Sequence, residues 1–101
     1  MAFVTAPDLE TARKIARAVL EQKLAACANI VPQIESHYWW QGKLEQNAEV
    51  LIIFKTLQSA EAELRNYVLA NHPYETPEFI TFAIDSGSLP YLRWIQGVTQ
   101  R

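Results

Sequence analysis

The pattern of apolar and polar positions changes period several times along the chain, and each change marks an element. Residues 3–5 are β-prone and run into Pro7-Asp8, which predicts a brief first strand feeding a helix. Asp8 is a suitable N-cap, because its carboxylate can accept from the unpaired N–H groups of a first turn. Ala12, Ile15, Ala16, Val19, Leu20 and Leu24 then recur at three-and-four spacing, with Glu10, Lys14, Arg17 and Glu21 on the opposite side, so an amphipathic helix is expected. From residue 28 to 40 the period becomes two, with Ile30, Ile34, Tyr38 and Trp40 on one side of a strand. Pro32 has no N–H, so that strand needs a bulge or an edge there.

Gln41-Gly42 separates two strand-like runs and is a workable two-residue hairpin turn. The second arm, residues 43–56, is polar near the turn and β-branched and apolar from Val50 to Phe54. Ser59 is placed to cap a second helix, with Glu61 and Glu63 in the first turn, Leu64, Tyr67 and Val68 on its buried face, and Pro73 stopping it after His72. Residues 79–84 read as an interior strand, apolar on both sides, and Tyr91, Leu92, Trp94 and Ile95 as a short terminal helix. The resulting order, βαββαβ plus a C-terminal helix, predicts an α+β, ferredoxin-like sandwich in a single domain over residues 1–101.

The hairpin is too long for that domain. Arms of about 13 residues reach roughly 40 Å, whereas a globule of this length is only about 33 Å across. Tyr38, Trp39 and Trp40 near the turn would each bury roughly 150–250 Å² if covered, and together they make an exposed patch of the kind that marks interfaces. The expectation is a closed symmetric homo-oligomer in which the tip lies on a neighbouring copy.

Composition narrows the function. With 101 residues, half of them apolar, and a net charge of -2, the chain suits one ordinary core, and its nine Lys and Arg form no stripe for nucleic acid or an anionic membrane. The longest apolar run, residues 50–54, is far short of the roughly 20 residues of a membrane helix. The first residues show neither a basic region nor an apolar one of a secretory signal, and the only cysteine is Cys27, so a reducing, cytoplasmic location is expected. Neither the Gly-rich phosphate loops nor the nucleophile and metalloprotease motifs are present, and no nucleophile, base and oxyanion donor can be named together, which predicts a non-enzyme.

Few residues remain for binding chemistry. Cys27 lies among small residues, as a buried thiol would. His72 ends a helix, where it serves equally well as a cap or as a ligand. Lys55 interrupts an apolar strand, so it either snorkels from the sheet or faces a polar cleft. Tyr91 and Trp94 have the spacing of core residues.

Several blocks carry a family resemblance: Thr5-Ala6-Pro7, the run 24–30 (Leu-Ala-Ala-Cys-Ala-Asn-Ile), the run 36–43 (Ser-His-Tyr-Trp-Trp-Gln-Gly-Lys), Lys55-Thr56, the run 72–78 (His-Pro-Tyr-Glu-Thr-Pro-Glu) and the run 91–95 (Tyr-Leu-Arg-Trp-Ile). Their order and spacing resemble the CutA divalent-cation tolerance proteins over essentially the whole chain. The resemblance implies a tight homotrimer with shared hairpins, similar in architecture to the PII signalling trimers, and a role in tolerance of copper or other divalent metals. In copper-binding members the ligands are a cysteine just before Thr-Ala-Pro and two adjacent histidines before Pro-Tyr. Here those positions are Val4 and Asn71-His72, so His72 alone carries over, with Cys27 as a second soft ligand. A competing expectation is an intersubunit cleft for a small molecule or anion, lined by Lys55, His72, Tyr74, Glu75 and Trp94, and a third is a structural or adaptor trimer.

Overall fold

The computed structural model describes residues 1–99. Its elements are β1 (Ala2–Ala6), α1 (Leu9–Glu21), β2 (Cys27–Trp40), β3 (Lys43–Lys55), a 3-10 turn (Gln58–Ala60), α2 (Glu61–Asn71), β4 (Phe79–Thr81) and α3 (Leu89–Thr99). The four strands form one antiparallel sheet in the order β2-β3-β1-β4. This is the expected α+β, ferredoxin-like arrangement: the two strands adjacent in sequence form the hairpin, and each helix returns the chain across the sheet.

The local rules behave as the sequence implies. The Asp8 carboxylate accepts from the Thr11 N–H at 2.7 Å and caps α1, and that bond holds its carboxyl below the ordinary range. The helix ends in a Schellman turn, with Leu24 N–H donating to Val19 O, Lys23 N–H donating to Leu20 O, and Lys23 at φ 56. Gln41 and Gly42 both have positive φ, 48 and 79, as a type I′ hairpin turn requires. At Pro32 the β2–β3 register slips between Val31 and Ile34, and Gln33 takes φ 58, so the missing N–H is absorbed by a bulge.

The core lies between the sheet and the α1–α2 layer. Val4, Val19, Ile52, Phe54, Leu64 and Val68 are all fully buried, and each such side chain contributes about 1.5–3 kcal/mol by leaving water. Leu20, expected on the buried face of α1, is instead partly exposed beside the helix end. Ser59 does not cap α2: it sits inside the 3-10 turn that runs directly into the helix, whose N-cap is Ala60.

Two departures occur at the far edge of the sheet. β4 is three residues long rather than six and pairs only with β1, so Ile80, Phe82 and Ile84 lie exposed where an interior strand was expected. α3 is eleven residues long, and it buries Ile95 and Thr99 while leaving Tyr91 and Trp94 exposed, so these two are not core residues of the single chain. In both places an apolar pattern anticipates cover that one chain does not supply.

The hairpin accounts for the molecule's shape. β3 pairs with β1 only from Val50 to Phe54, and its residues 43–49 continue outward paired with β2 alone. Seven residues add roughly 23 Å of arm, and the molecule measures 44 × 25 × 21 Å.

Candidate functional site

A concavity of about 660 Å³ lies where the hairpin leaves the core. The hairpin contributes Glu35, His37, Tyr38, Trp40 and Glu49, and the segment after α2 contributes Tyr74, Glu75 and Glu78. Its floor is a hydrogen bond from Tyr74 Oη to Glu49 Oε2 at 2.7 Å. Burial first, then the Glu49 carboxylate accepting from it, pushes the Tyr74 phenol well above its ordinary value. Burial, with repulsion from Glu49 second, also raises the Glu78 carboxyl. On the hairpin His37 Nε2 lies 2.7 Å from Glu35 Oε1, and Asn47 Nδ2 donates to Tyr38 Oη. The groove therefore presents four carboxylates and several rings, with neither Lys nor Arg among its lining residues.

His72 stands behind this groove and is fully engaged. Its Nδ1 accepts from the Tyr74 N–H at 3.1 Å, so Nε2 carries the proton and donates to the Thr5 carbonyl at 2.6 Å. Its ring lies 4.7 Å from that of Tyr74. Proline forces this arrangement: His72 adopts an extended conformation (φ -94, ψ 139) before Pro73, which ends α2 and turns the imidazole toward β1. In one chain the histidine joins α2 to β1 and has no lone pair free for a metal.

Cys27 is elsewhere. It lies opposite Lys55 in the β2–β3 register, whereas the Thr5 carbonyl held by His72 lies opposite Leu51. Four residues along β3 separate the two places, about 13 Å. There Cys27 Sγ donates to Asn29 Oδ1 at 3.5 Å, and Lys55 Nζ donates to the same oxygen, so the lysine reaches across the hairpin rather than into the groove. Among the described residues, no group of three or more His, Cys, Asp or Glu side chains is arranged to hold a metal ion.

Of the residues expected in one cleft, Tyr74 and Glu75 do line the groove, His72 backs it, and Lys55 and Trp94 lie apart from it. Of the tip aromatics, Tyr38 and Trp40 line the groove, and Trp39 is 73 % exposed. Sequence reasoning missed Glu35, His37, Glu49 and Glu78 as groove residues. A signal existed for Glu49, the carboxylate adjoining the apolar run at residues 50–54 where the arm leaves the core.

Compared with known proteins, residues 1–98 match the family model described as CutA1 divalent ion tolerance protein. The chain belongs to the CutA1 divalent ion tolerance family. It is 48 % identical over 99 residues to "Protein CutA" of Homo sapiens, an alignment covering 98 % of this chain and 55 % of the human one. It is 45 % identical over 91 residues to "Divalent-cation tolerance protein CutA" of Escherichia coli, covering 90 % of this chain and 81 % of that one. The chain thus spans little more than half the length of the human relative. Among solved structures, CutA1 from Oryza sativa superposes with a TM-score of 0.95 at 45 % identity, covering 98 % of this chain and 91 % of the other. The periplasmic divalent cation tolerance protein CutA from Archaeoglobus fulgidus gives 0.95 at 43 % identity, covering 98 % and 96 %. Both the CutA1 fold and the family are thereby established for this chain, and no described helix is long and apolar enough to cross a membrane.

Proposed function

We propose that this CutA1-family chain acts in divalent-ion tolerance and response as a cytoplasmic homotrimer, without catalysis, and takes up copper or another divalent cation where subunits meet rather than inside one chain. The observation that carries this reading is the division of the soft ligands. His72 has both nitrogens committed to backbone groups, and Cys27 lies about 13 Å away along β3 beside a lysine. A single chain does not fit a metal centre, so a cation site needs donors from more than one copy. The hairpin supports the assembly, since its aromatic tip projects beyond the only core that could cover it. A solitary free cysteine suits a reducing compartment. The carboxylates of the groove, with no cation among its lining, disfavour an anion as ligand there.

Light scattering and copper titration test this together. At micromolar concentration the mass should be three times 11.5 kDa. Copper heat should persist in His72→Ala and disappear in a Trp39→Glu, Trp40→Glu variant that no longer assembles. A clean monomer mass for the unmodified chain, no copper heat from it, or equal copper affinity in the dissociated variant would each refute the reading.

A further inference from the structure

Glu49 is a buried charge without a counter-charge. It is 9 % exposed, and Tyr74 Oη donates to its Oε2 at 2.7 Å. Among the described residues no group donates to its Oε1, and no Lys, Arg or His stands within ion-pair distance of it. A carboxylate this buried is ordinarily paired, because leaving water uncompensated is costly. Glu49 lines the groove, so the missing partner can come from a ligand that enters it. Burial and then the Glu49 charge raise the nearby Glu78 carboxyl, as expected where a positive neighbour is lacking.

The groove is also asymmetric along its length. The register sets Ile34 opposite Glu49, Tyr38 opposite Glu45 and Trp40 opposite Lys43, so Tyr38, Trp40 and Glu49 share one face of the hairpin. Six residues of β3 separate Glu49 from Lys43, about 20 Å. The uncompensated carboxylate lies at the core end, and the partly exposed rings of Tyr38 and Trp40 line the outer part, with Asn47 holding the Tyr38 hydroxyl. Lys43 across from Trp40 disfavours a second positive charge at the tip. A bare metal ion would leave those rings unused, and among the described residues no group of three or more ligating side chains is arranged to hold one. We propose that the groove binds a small organic cation with an apolar tail, an alkylammonium or arylalkylammonium, whose N–H groups donate to Glu49 Oε1 while its tail lies along Tyr38 and Trp40. An ammonium head has three donors and no acceptor, which suits Glu49 and its neighbour Glu78, and the ring faces attract the same charge. All of the lining comes from one chain, so this site is separate from the cation site proposed above, which draws donors from several copies.

Calorimetric titration of the unmodified chain, in the assembly it holds in solution, tests the site with phenethylamine and hexylamine as probes. Each should bind once per chain. Phenethyl alcohol lacks the charge and ammonium chloride lacks the tail, so both should bind at least about tenfold more weakly. Glu49→Gln keeps an acceptor for Tyr74 and removes the charge; it should fold, as circular dichroism verifies, and lower the phenethylamine affinity by about tenfold or more. Glu21→Gln, which removes an exposed carboxylate on α1, should leave that affinity within about twofold. Absence of phenethylamine heat at millimolar concentration, an alcohol that binds as tightly as the amine, ammonium chloride that matches both amines, or a folded Glu49→Gln chain of unchanged affinity would each overturn the proposal. None of these outcomes depends on copper or on the number of copies assembled, so the two readings fail separately.

Discussion

His72→Ala is the perturbation that best separates a structural histidine from a ligand. The imidazole joins two backbone groups, accepting from the Tyr74 N–H at 3.1 Å and donating to the Thr5 carbonyl at 2.6 Å, and Thr5 is 8 % exposed. Alanine leaves that carbonyl buried without a partner, which costs about 1–3 kcal/mol, and it removes a second bond with a net contribution of about 1 kcal/mol. The expected loss is therefore about 2–4 kcal/mol, a large share of the roughly 5–15 kcal/mol of a domain this size. Near the melting temperature that corresponds to a fall of at least about 8 °C. Urea unfolding at one fixed protein concentration measures it, since assembly makes apparent stability concentration-dependent. Asn71→Ala is the control, because Asn71 Nδ2 makes a single exposed bond to Tyr67 O at 2.9 Å and its loss should cost well under about 1 kcal/mol. A His72→Ala loss below about 0.5 kcal/mol would refute the bridging role.

Two further outcomes follow from local geometry. Gly42 sits at φ +79 with nothing within 4 Å of an added Cβ, so Gly42→Ala should cost about 1 kcal/mol from backbone conformation alone; a neutral result in thermal melts would mean that the turn relaxes to another type. The Glu78 carboxyl is raised above its ordinary 4.5 in the folded state, so its ionisation opposes folding at neutral pH, and that penalty fades as pH falls through the raised value and is gone below about 4.5. Glu78→Gln should accordingly melt higher than the unmodified chain at pH 7, with the gap closing by about pH 4; a gap that widens on acidification contradicts the sign.

Most of the fold was legible because its determinants are local. The Asp8 cap, the helical spacing of Ala12 to Val19, the bulge forced by Pro32 and the positive-φ pair Gln41-Gly42 each act within a few residues, and each appears where the residues place it. Ser59 misled because a cap depends on where the first turn starts, and the 3-10 turn moved that start past it. Candidate-site residues were less legible because they depend on register. Lys55 and Tyr74 were expected in one cleft, but the pairing of Cys27 with Lys55 sends the lysine to Asn29, while Pro73 delivers Tyr74 to Glu49. His72 read as open between cap and ligand, and its hydrogen bonds make it a connector between α2 and β1.

The residues that failed as core predictions share one property. Ile80, Phe82 and Ile84 beyond the short β4, and Tyr91 and Trp94 on α3, were expected to be covered and lie exposed. Apolar periodicity records only that a face is dry in the working assembly; it does not record whose atoms keep it dry. The hairpin tip gives the same signal at the other end of the molecule, where the aromatics lie beyond the last β1 partner, Val50. Two apolar faces at opposite ends cannot cover each other within one copy. The long hairpin and the short β4 edge therefore carry, on exposed faces, the same apolar alternation that elsewhere in the chain specifies the core.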